Sequence, residues 1–450
     1  AAPIALQNLI ASSLNMVDTV LIGGLGPTAI AAVGLANQVF FLFNLISFGI
    51  CSGAAIFTAQ FWGERDEVNV RRVLGFSLLA NLSVAVLFLA LATFLPGPIL
   101  SLFTRDPQVI LLGSKFLRII SPSYLLFGIT FAFAFTLRGV GQPAYPMVAS
   151  GVAFGVNTLL NYLLIYGHWG LPRLGVAGSA TATLIAITIE TMIILGFVYG
   201  LHLVPAARLR ELLDLSGDFL RRVFRTILPV IGNETLWALG FSMYPMVYAH
   251  MGTEVIAAFN IYATVDRLGM VLFMGMASAC AVMVGQQIGA GRETTAFTYA
   301  RRFALLGPGL GIVMGALLLL GAGTILGLFN VPSTVIATAR GFITIFACTI
   351  PIRIFNLTNI VGILRSGGDT RFSLFLDTAA LWLVAVPLAF LAGLVWHLPP
   401  IYVYLMATVE EVVKFSLGRW RLLSGRWINN LVRGMGHGEA PAPAAVDSGS

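Results

Sequence analysis

The sequence predicts an all-α polytopic membrane protein, with twelve transmembrane helices in two pseudo-symmetric six-helix lobes. Three observations predict it: a composition too apolar for a soluble core, charge-free runs long enough to cross a bilayer, and a repeat that relates the two halves of the chain. Apolar residues make up 58% of the 450 and charged residues only 10%, against roughly 25% charged in an ordinary soluble domain. The runs between Asp18 and Glu64 and between Arg72 and Arg105 contain no Asp, Glu, Lys or Arg, and each exceeds the ~20 residues that span a bilayer.

Hydropathy and loop punctuation place the spans at 3–22, 29–62, 73–97, 108–137, 145–167, 175–201, 229–251, 255–288, 302–327, 335–363, 373–396 and 400–423. They are expected to be helices, because they lack the ten-residue polar/apolar alternation of outer-membrane strands. The longest are expected to tilt or to extend beyond the hydrocarbon.

Basic residues set the expected orientation. Arg65, Arg71, Arg72, Arg138, the group from Arg208 to Arg225, Arg292, Arg301, Arg302, Arg365, Arg371 and the residues from Lys414 onward fall in even-numbered loops or at the C-terminus. Odd-numbered loops and their flanks hold only Arg105, Lys115, Arg118, Arg173 and Arg340. The positive-inside rule then puts both termini in the cytoplasm, in a plasma (inner) membrane. The formal charge of +7 is dispersed over loops, which argues against a nucleic-acid partner. Cys51, Cys280 and Cys348 lie unpaired in apolar runs and read as buried, inert thiols. The chain starts inside an apolar segment, without Met or a basic leader, so the first helix is expected to be truncated.

The repeat appears when Pro3 is set on Pro229. At this offset Gly26 falls on Gly252, Ile30-Ala31-Ala32 on Ile256-Ala257-Ala258, Gly49 on Gly275, Gln60 on Gln286, Gly63 on Gly289 and Leu102-Phe103 on Leu328-Phe329. One residue of slippage then sets Leu137-Arg138-Gly139 on Leu364-Arg365-Ser366. The expected organisation is an N-terminal lobe (1–204), a basic cytoplasmic linker (205–228), a C-terminal lobe (229–424) and a largely disordered cytoplasmic tail (425–450). Six spans per repeat bring both lobes in from the same side, with a substrate cleft between them and a monomer in lipid as the expected unit.

Ionisable groups inside a membrane are costly and mark functional candidates. In span one, Asn8, Ser12, Asn15, Asp18 and Thr19 recur at helical spacing, with Asp18 the one charge on the stripe. Span five adds Asn157 and Asn161 on one face, and span six the hydroxyls of Thr181 and Thr183. A carboxylate with several neutral oxygens suits Na+ as a metal ligand set centred on Asp18, and equally suits a proton. In the second lobe Glu234 lies near Trp237, Phe241 and Tyr244, an arrangement that would attract a lipophilic cation. Asn37 and Asp377 join Glu234, Trp237 and Tyr244 as candidate substrate contacts. Asp266 beside Arg267 reads as a locally neutral pair, Glu190 as a weaker candidate, and Glu410, Glu411 and Lys414 as a surface ion-pair set.

Asn15-Met16-Val17-Asp18-Thr19 with Gly23-Gly24-Leu25-Gly26, Leu137-Arg138-Gly139, and Leu364-Arg365-Ser366-Gly367-Gly368-Asp369 resemble, in that order, the motifs of multidrug and toxic compound extrusion transporters. The resemblance covers essentially the whole chain and implies an antiporter that exports organic cations in exchange for Na+ or H+, without a cofactor. It implies ion coupling by Asp18, Asn157 and Thr183. Asn161 stands where several members have aspartate, and Glu234 resembles the family's seventh-helix glutamate. The stretch from Ile350 to Asn359 has no acid where some members carry one in the tenth helix. A flippase for lipid-linked precursors or polysaccharides, of the same broad superfamily, remains an alternative, disfavoured because only Arg267 and Arg353 sit clearly within spans. A membrane-embedded enzyme is a further alternative, disfavoured by dispersed histidines and the absence of a G-x-S-x-G elbow; no P-loop is present for direct use of ATP.

Overall fold

The computed structural model describes residues 2–327, 329 and 331–435, with all their side chains except those of Ser12 and Asn15. Twelve spans follow one another with no strand among the described residues. They are Ala2–Gly23, Pro27–Gly63, Glu67–Phe94, a fourth made of Pro107–Ile120 and Ser123–Gly139, Ala144–Tyr166, Val176–Gly200, a seventh made of Gly217–Phe241 and Met243–Met251, Thr253–Gly289, Glu293–Gly327, Ser333–Leu364, Thr370–Val395, and a twelfth made of Pro400–Ala407 and Val409–Leu423. Nine are single helices long and apolar enough to cross a membrane, and the fourth joins them as a pair bent by 51° at Ser121-Pro122. Spans seven and twelve are divided at Ser242 and Thr408, which shortens their apolar lengths.

Several helices start earlier than hydropathy alone places them, because capped, charged turns extend them past the apolar run. Span three begins behind Asp66, whose carboxylate accepts the Asn69 N–H at 3.0 Å, and carries Arg71 and Arg72 in its second turn. Span seven begins at Gly217 behind Ser216, whose hydroxyl accepts the Phe219 N–H. The second half of the expected linker is therefore helix. Such caps satisfy amide donors that no intrahelical partner can reach.

The neighbours in each lobe correspond. Span one packs on five and seven on eleven; two packs on three and four, as eight packs on nine and ten. Across the middle, span one meets eight and span two meets both seven and eight. This is the pattern of two six-helix lobes related by a pseudo-two-fold axis. The lobes approach most closely where spans two and eight cross. A Cβ on Gly63 would run into the Gln286 carbonyl oxygen, and one on Gly289 into the Gln60 carbonyl oxygen, so both sites require glycine. Nearby, Gln60 Nε2 donates to the Ser366 carbonyl at 2.9 Å and Gln286 Nε2 donates to the Gly139 carbonyl at 2.9 Å. Each glutamine thus reaches from one lobe to the backbone of the other at the basic end of the molecule.

The first part of the expected tail, 425–435, packs against both lobes. Trp427 is fully buried among second-lobe side chains, and Val432 in a cluster that joins first-lobe side chains to Phe219, Val223 and Ile227 of span seven. Between them the Leu431 N–H donates to Gln60 Oε1 at 2.8 Å, the Asn429 N–H donates to the Gly367 carbonyl, and Asn430 Nδ2 donates to the Ile288 carbonyl. An indole and aliphatic side chains among polar residues supply these anchors. Residues 436–450 lie outside the described residues. Of the thiols, Cys51 and Cys280 are buried, but Cys348 sits exposed on the outer face of span ten.

Candidate functional site: two polar tracks with opposite endings

Asp18 lies on the wall of a cavity of about 390 Å³ inside the first lobe, which also exposes Asn8, Thr19, Asn37, Asn157 and Thr183. That volume falls in the range of about 300–1,000 Å³ that holds drug-sized ligands. Span five positions the amides. Asn161 Nδ2 donates to Asp18 Oδ1 at 2.6 Å and to Asn157 Oδ1 at 2.9 Å, and Asn157 Nδ2 donates to Thr183 Oγ1 at 3.2 Å. The four residues expected for ion coupling therefore form one hydrogen-bonded chain across spans one, five and six. Turning the Asn161 amide over would set its oxygen against two acceptors, so the network fixes its orientation. Asn161 and Asn157 are buried, and Asn161 Oδ1 has no hydrogen-bond donor among the described residues. A buried acceptor of this kind beside a carboxylate suits a monovalent cation or a proton carrier. Thr181 instead turns its hydroxyl to the Ala177 carbonyl of its own helix.

The remaining wall is aromatic and apolar, with Phe40, Phe116, Phe127 and Phe131. Phe127 stacks on Phe131 at 4.9 Å and meets Phe40 edge-on at 5.2 Å. A second polar track runs along the same cavity. Arg138 Nη2 donates to Gln7 Oε1 at 2.6 Å, Gln7 Nε2 donates to Ser150 Oγ at 3.0 Å, and Ser150 Oγ donates to Glu190 Oε1 at 2.6 Å. Asn37 thus belongs to the cavity of Asp18, apart from the other expected substrate contacts.

Those other contacts do not assemble as the sequence reading has it. Glu234 Oε1 accepts Arg365 Nη1 at 2.6 Å, in a pair whose side chains are 14% and 6% exposed, so its charge is already answered. Trp237 and Tyr244 line a separate space of about 70 Å³, too small for a drug-sized molecule. Asp377 pairs with Lys414 Nζ at 2.8 Å, and the same ammonium lies 3.3 Å from Glu410. Asp266 pairs with Arg353 at 2.6 Å in place of Arg267, and Arg353 also reaches Glu411 at 3.2 Å. Lys414, Glu410 and Glu411 are consequently an interior network, where their i, i+4 spacing alone suggested a surface one. Long-range partners such as Arg353 and Lys414 leave no trace in local spacing.

The two lobes carry one pattern of polar contacts with different residues. At the repeat offset Gln7 corresponds to Asn233 (233 − 7 = 226), and one residue later Arg138 corresponds to Arg365 and Ser150 to Asp377 (365 − 138 = 227; 377 − 150 = 227). Asn233 Nδ2 donates to Asp377 Oδ2 at 3.1 Å as Gln7 donates to Ser150, and each arginine reaches back to the first helix of its own lobe. The tracks end differently, in Lys414 in the second lobe and in Glu190 in the first.

Comparison with known proteins follows the same division. The family model MatE matches the chain twice, over residues 3–163 and 229–391, and the two starts differ by 229 − 3 = 226 residues, the offset of the repeat. The chain is similar to the multidrug resistance protein NorM of Burkholderia vietnamiensis (30% identical, covering 88% of this chain and 87% of that one) and to the probable multidrug resistance protein NorM of Deinococcus radiodurans (32%, 86% and 86%). Its fold is that of a MATE crystallised in the straight conformation (TM-score 0.82, 21% identity, 94% of this chain and 95% of that one) and of an outward-facing multidrug resistance MATE family transporter (TM-score 0.81, 21%, 94% and 95%). Two matches to the family model, relatives along nearly the whole length and a shared twelve-helix fold lead to one conclusion: this chain belongs to the MatE family of multidrug and toxic compound extrusion transporters, multi-pass membrane proteins that are not enzymes.

Proposed function

We propose that this chain exports small organic cations in exchange for Na+ or H+, by alternating access of its two lobes. The observation that carries the reading is Asp18, one carboxylate held by buried amides on the wall of a drug-sized aromatic cavity. Binding of the coupling ion there drives the cycle by its differential affinity for the two states of the lobes, since a ligand shifts an equilibrium only by that difference. Because Asp18 and the aromatic wall share one cavity, cargo and ion draw on the same negative potential, so each weakens binding of the other and exchange follows.

The charges support a cationic cargo. The cavity exposes Asp18 and Glu190 against one arginine, Arg138, itself bonded to Gln7. A flippase for an anionic pyrophosphate needs several free cations, whereas Arg353 is held by Asp266 and Glu411. The export of multiple drugs implied by the names of the NorM relatives fits this reading. We place the protein as a monomer in the plasma (inner) membrane with its basic end and both termini in the cytoplasm, on the positive-inside distribution of arginines. In that orientation the crossing of spans two and eight and the segment 425–435 close the cytoplasmic side. The test is uptake of ethidium into proteoliposomes under an imposed Na+ gradient or an imposed proton gradient, one at a time. Accumulation against the dye gradient under one of them is expected; accumulation under neither rejects exchange.

A further inference from the structure

Glu190 stands where the two polar tracks differ. Thr183 and Glu190 are two turns apart on span six (190 − 183 = 7), as are Asn157 and Ser150 on span five (157 − 150 = 7). Both intervals measure roughly 10.5 Å along a helix. Spans five and six run in opposite directions, so both steps lead from the Asp18 layer to the same second layer. The cavity therefore has two polar storeys with one carboxylate in each, and aromatic side chains beside them.

The second storey contains a carboxylate but no cation of its own within bonding reach. Glu190 accepts the Ser150 hydroxyl and, among the described residues, enters no ion pair; Arg138, the one cationic side chain on the cavity wall, is held by Gln7. In the second lobe the equivalent track is completed by an ammonium, because Asp377, at the position of Ser150, binds Lys414. There the neighbouring space is about 70 Å³, and the track is closed by the protein's own charge. In the first lobe the same track ends in an anion facing a space of about 390 Å³.

From this we infer that Glu190 is the anchor for the positively charged nitrogen of the exported molecule, which takes in the first lobe the place that Lys414 takes in the second. The inference rests on the export reading above and assigns the cargo's charge to a residue other than Asp18. The ligand class is a protonated or quaternary amine on an aromatic body, with the amine at Glu190 and the rings against Phe127, Phe131 and Phe40. Ser150 and Gln7 are positioning residues, since they orient the carboxylate through hydrogen bonds.

The experiment is equilibrium binding of ethidium to the purified full chain, by fluorescence anisotropy, in wild type, Glu190→Gln and Glu190→Asp. The amide oxygen of Glu190→Gln still accepts the Ser150 hydroxyl, so its melting temperature should match wild type. Loss of a direct charge contact in a partly shielded cavity should weaken ethidium binding by about tenfold or more, while Glu190→Asp should stay within about threefold of wild type because the charge remains. Unchanged affinity in Glu190→Gln, or equal weakening by both substitutions, overturns the assignment. Gradient-driven uptake by the wild type, measured on the same preparation, separates the two readings. Wild type that transports ethidium while Glu190→Gln binds it normally removes only this inference, whereas wild type that transports under neither gradient removes the export reading itself.

Discussion

Asp18→Asn should separate coupling from folding. The substitution preserves shape, and the new amide oxygen can still accept Asn161 Nδ2, which now donates at 2.6 Å. What changes on the folding side is a charge-assisted bond of about 1.5–3 kcal/mol replaced by a neutral one of about 0.5–1.5 kcal/mol, a cost of about 1 kcal/mol. The functional loss is larger. A monovalent cation about 4 Å from a carboxylate at an effective dielectric near 20 gains about 4 kcal/mol, equivalent to about three decades of affinity. Purified Asp18→Asn should therefore be monodisperse, melt within a few degrees of wild type, and bind ethidium, yet fail to accumulate it in proteoliposomes under either an Na+ or a proton gradient. Near-normal uptake against the dye gradient would refute the assignment of Asp18 as the coupling carboxylate.

Three further outcomes follow from the packing. Glu234→Gln leaves Arg365 buried without its counter-ion and should destabilise the protein by about 3 kcal/mol, lowering transport of cationic and neutral dyes alike; a loss confined to cationic dyes would restore Glu234 as a cargo contact. Gly63→Ala drives a methyl group against the Gln286 carbonyl and should cost about 1–3 kcal/mol, seen as a lower melting temperature, and an unchanged melting curve would show that the two helices do not cross this closely. Trp427→Ala empties a fully buried site and should cost about 3–5 kcal/mol, with faster hydrogen exchange over 425–435 and around Gln60; exchange unchanged at Gln60 would show that the segment does not secure the crossing.

The helices were legible because lipid imposes a length and a polarity on each of them, and because proline and charged loops punctuate the runs. The repeat was legible for a steric reason: Gly63 and Gly289 tolerate no side chain at a symmetric crossing, so both copies retain glycine. The chain of Asp18, Asn157, Asn161 and Thr183 was legible because polar residues at helical spacing inside a membrane must turn inward together. The second lobe was not. Its charges pair across long separations, Arg353 with Asp266 and Glu411, Lys414 with Asp377, and nothing in local spacing says which acid will be neutralised. Glu234 looked available because its partner, Arg365, lies at the end of a different helix. The packing of 425–435 was not legible because its contacts, such as Leu431 with Gln60 and Asn430 with Ile288, bridge 371 and 142 residues of sequence.

The two Leu-Arg motifs have a common mechanical sense. In each, the arginine reaches into its own lobe, Arg138 to Gln7 and Arg365 to Glu234, while the next residue offers its carbonyl to a glutamine of the other lobe, Gly139 to Gln286 and Ser366 to Gln60. The motif is therefore a junction: one side reads the polar track, the other holds the partner lobe. Separation of the lobes at this end must break both glutamine bonds and release Gln60 from Leu431, so both junctions open together. Among the described residues, the first-lobe junction is the one that connects to a space of ligand size. The second-lobe track is closed by Lys414, whereas the first-lobe track runs from Gly139 through Arg138, Gln7 and Ser150 to Glu190 on the cavity wall. Under the export cycle proposed above, a ligand is required at one position only, and duplication followed by divergence of a few charged residues is sufficient to produce that asymmetry.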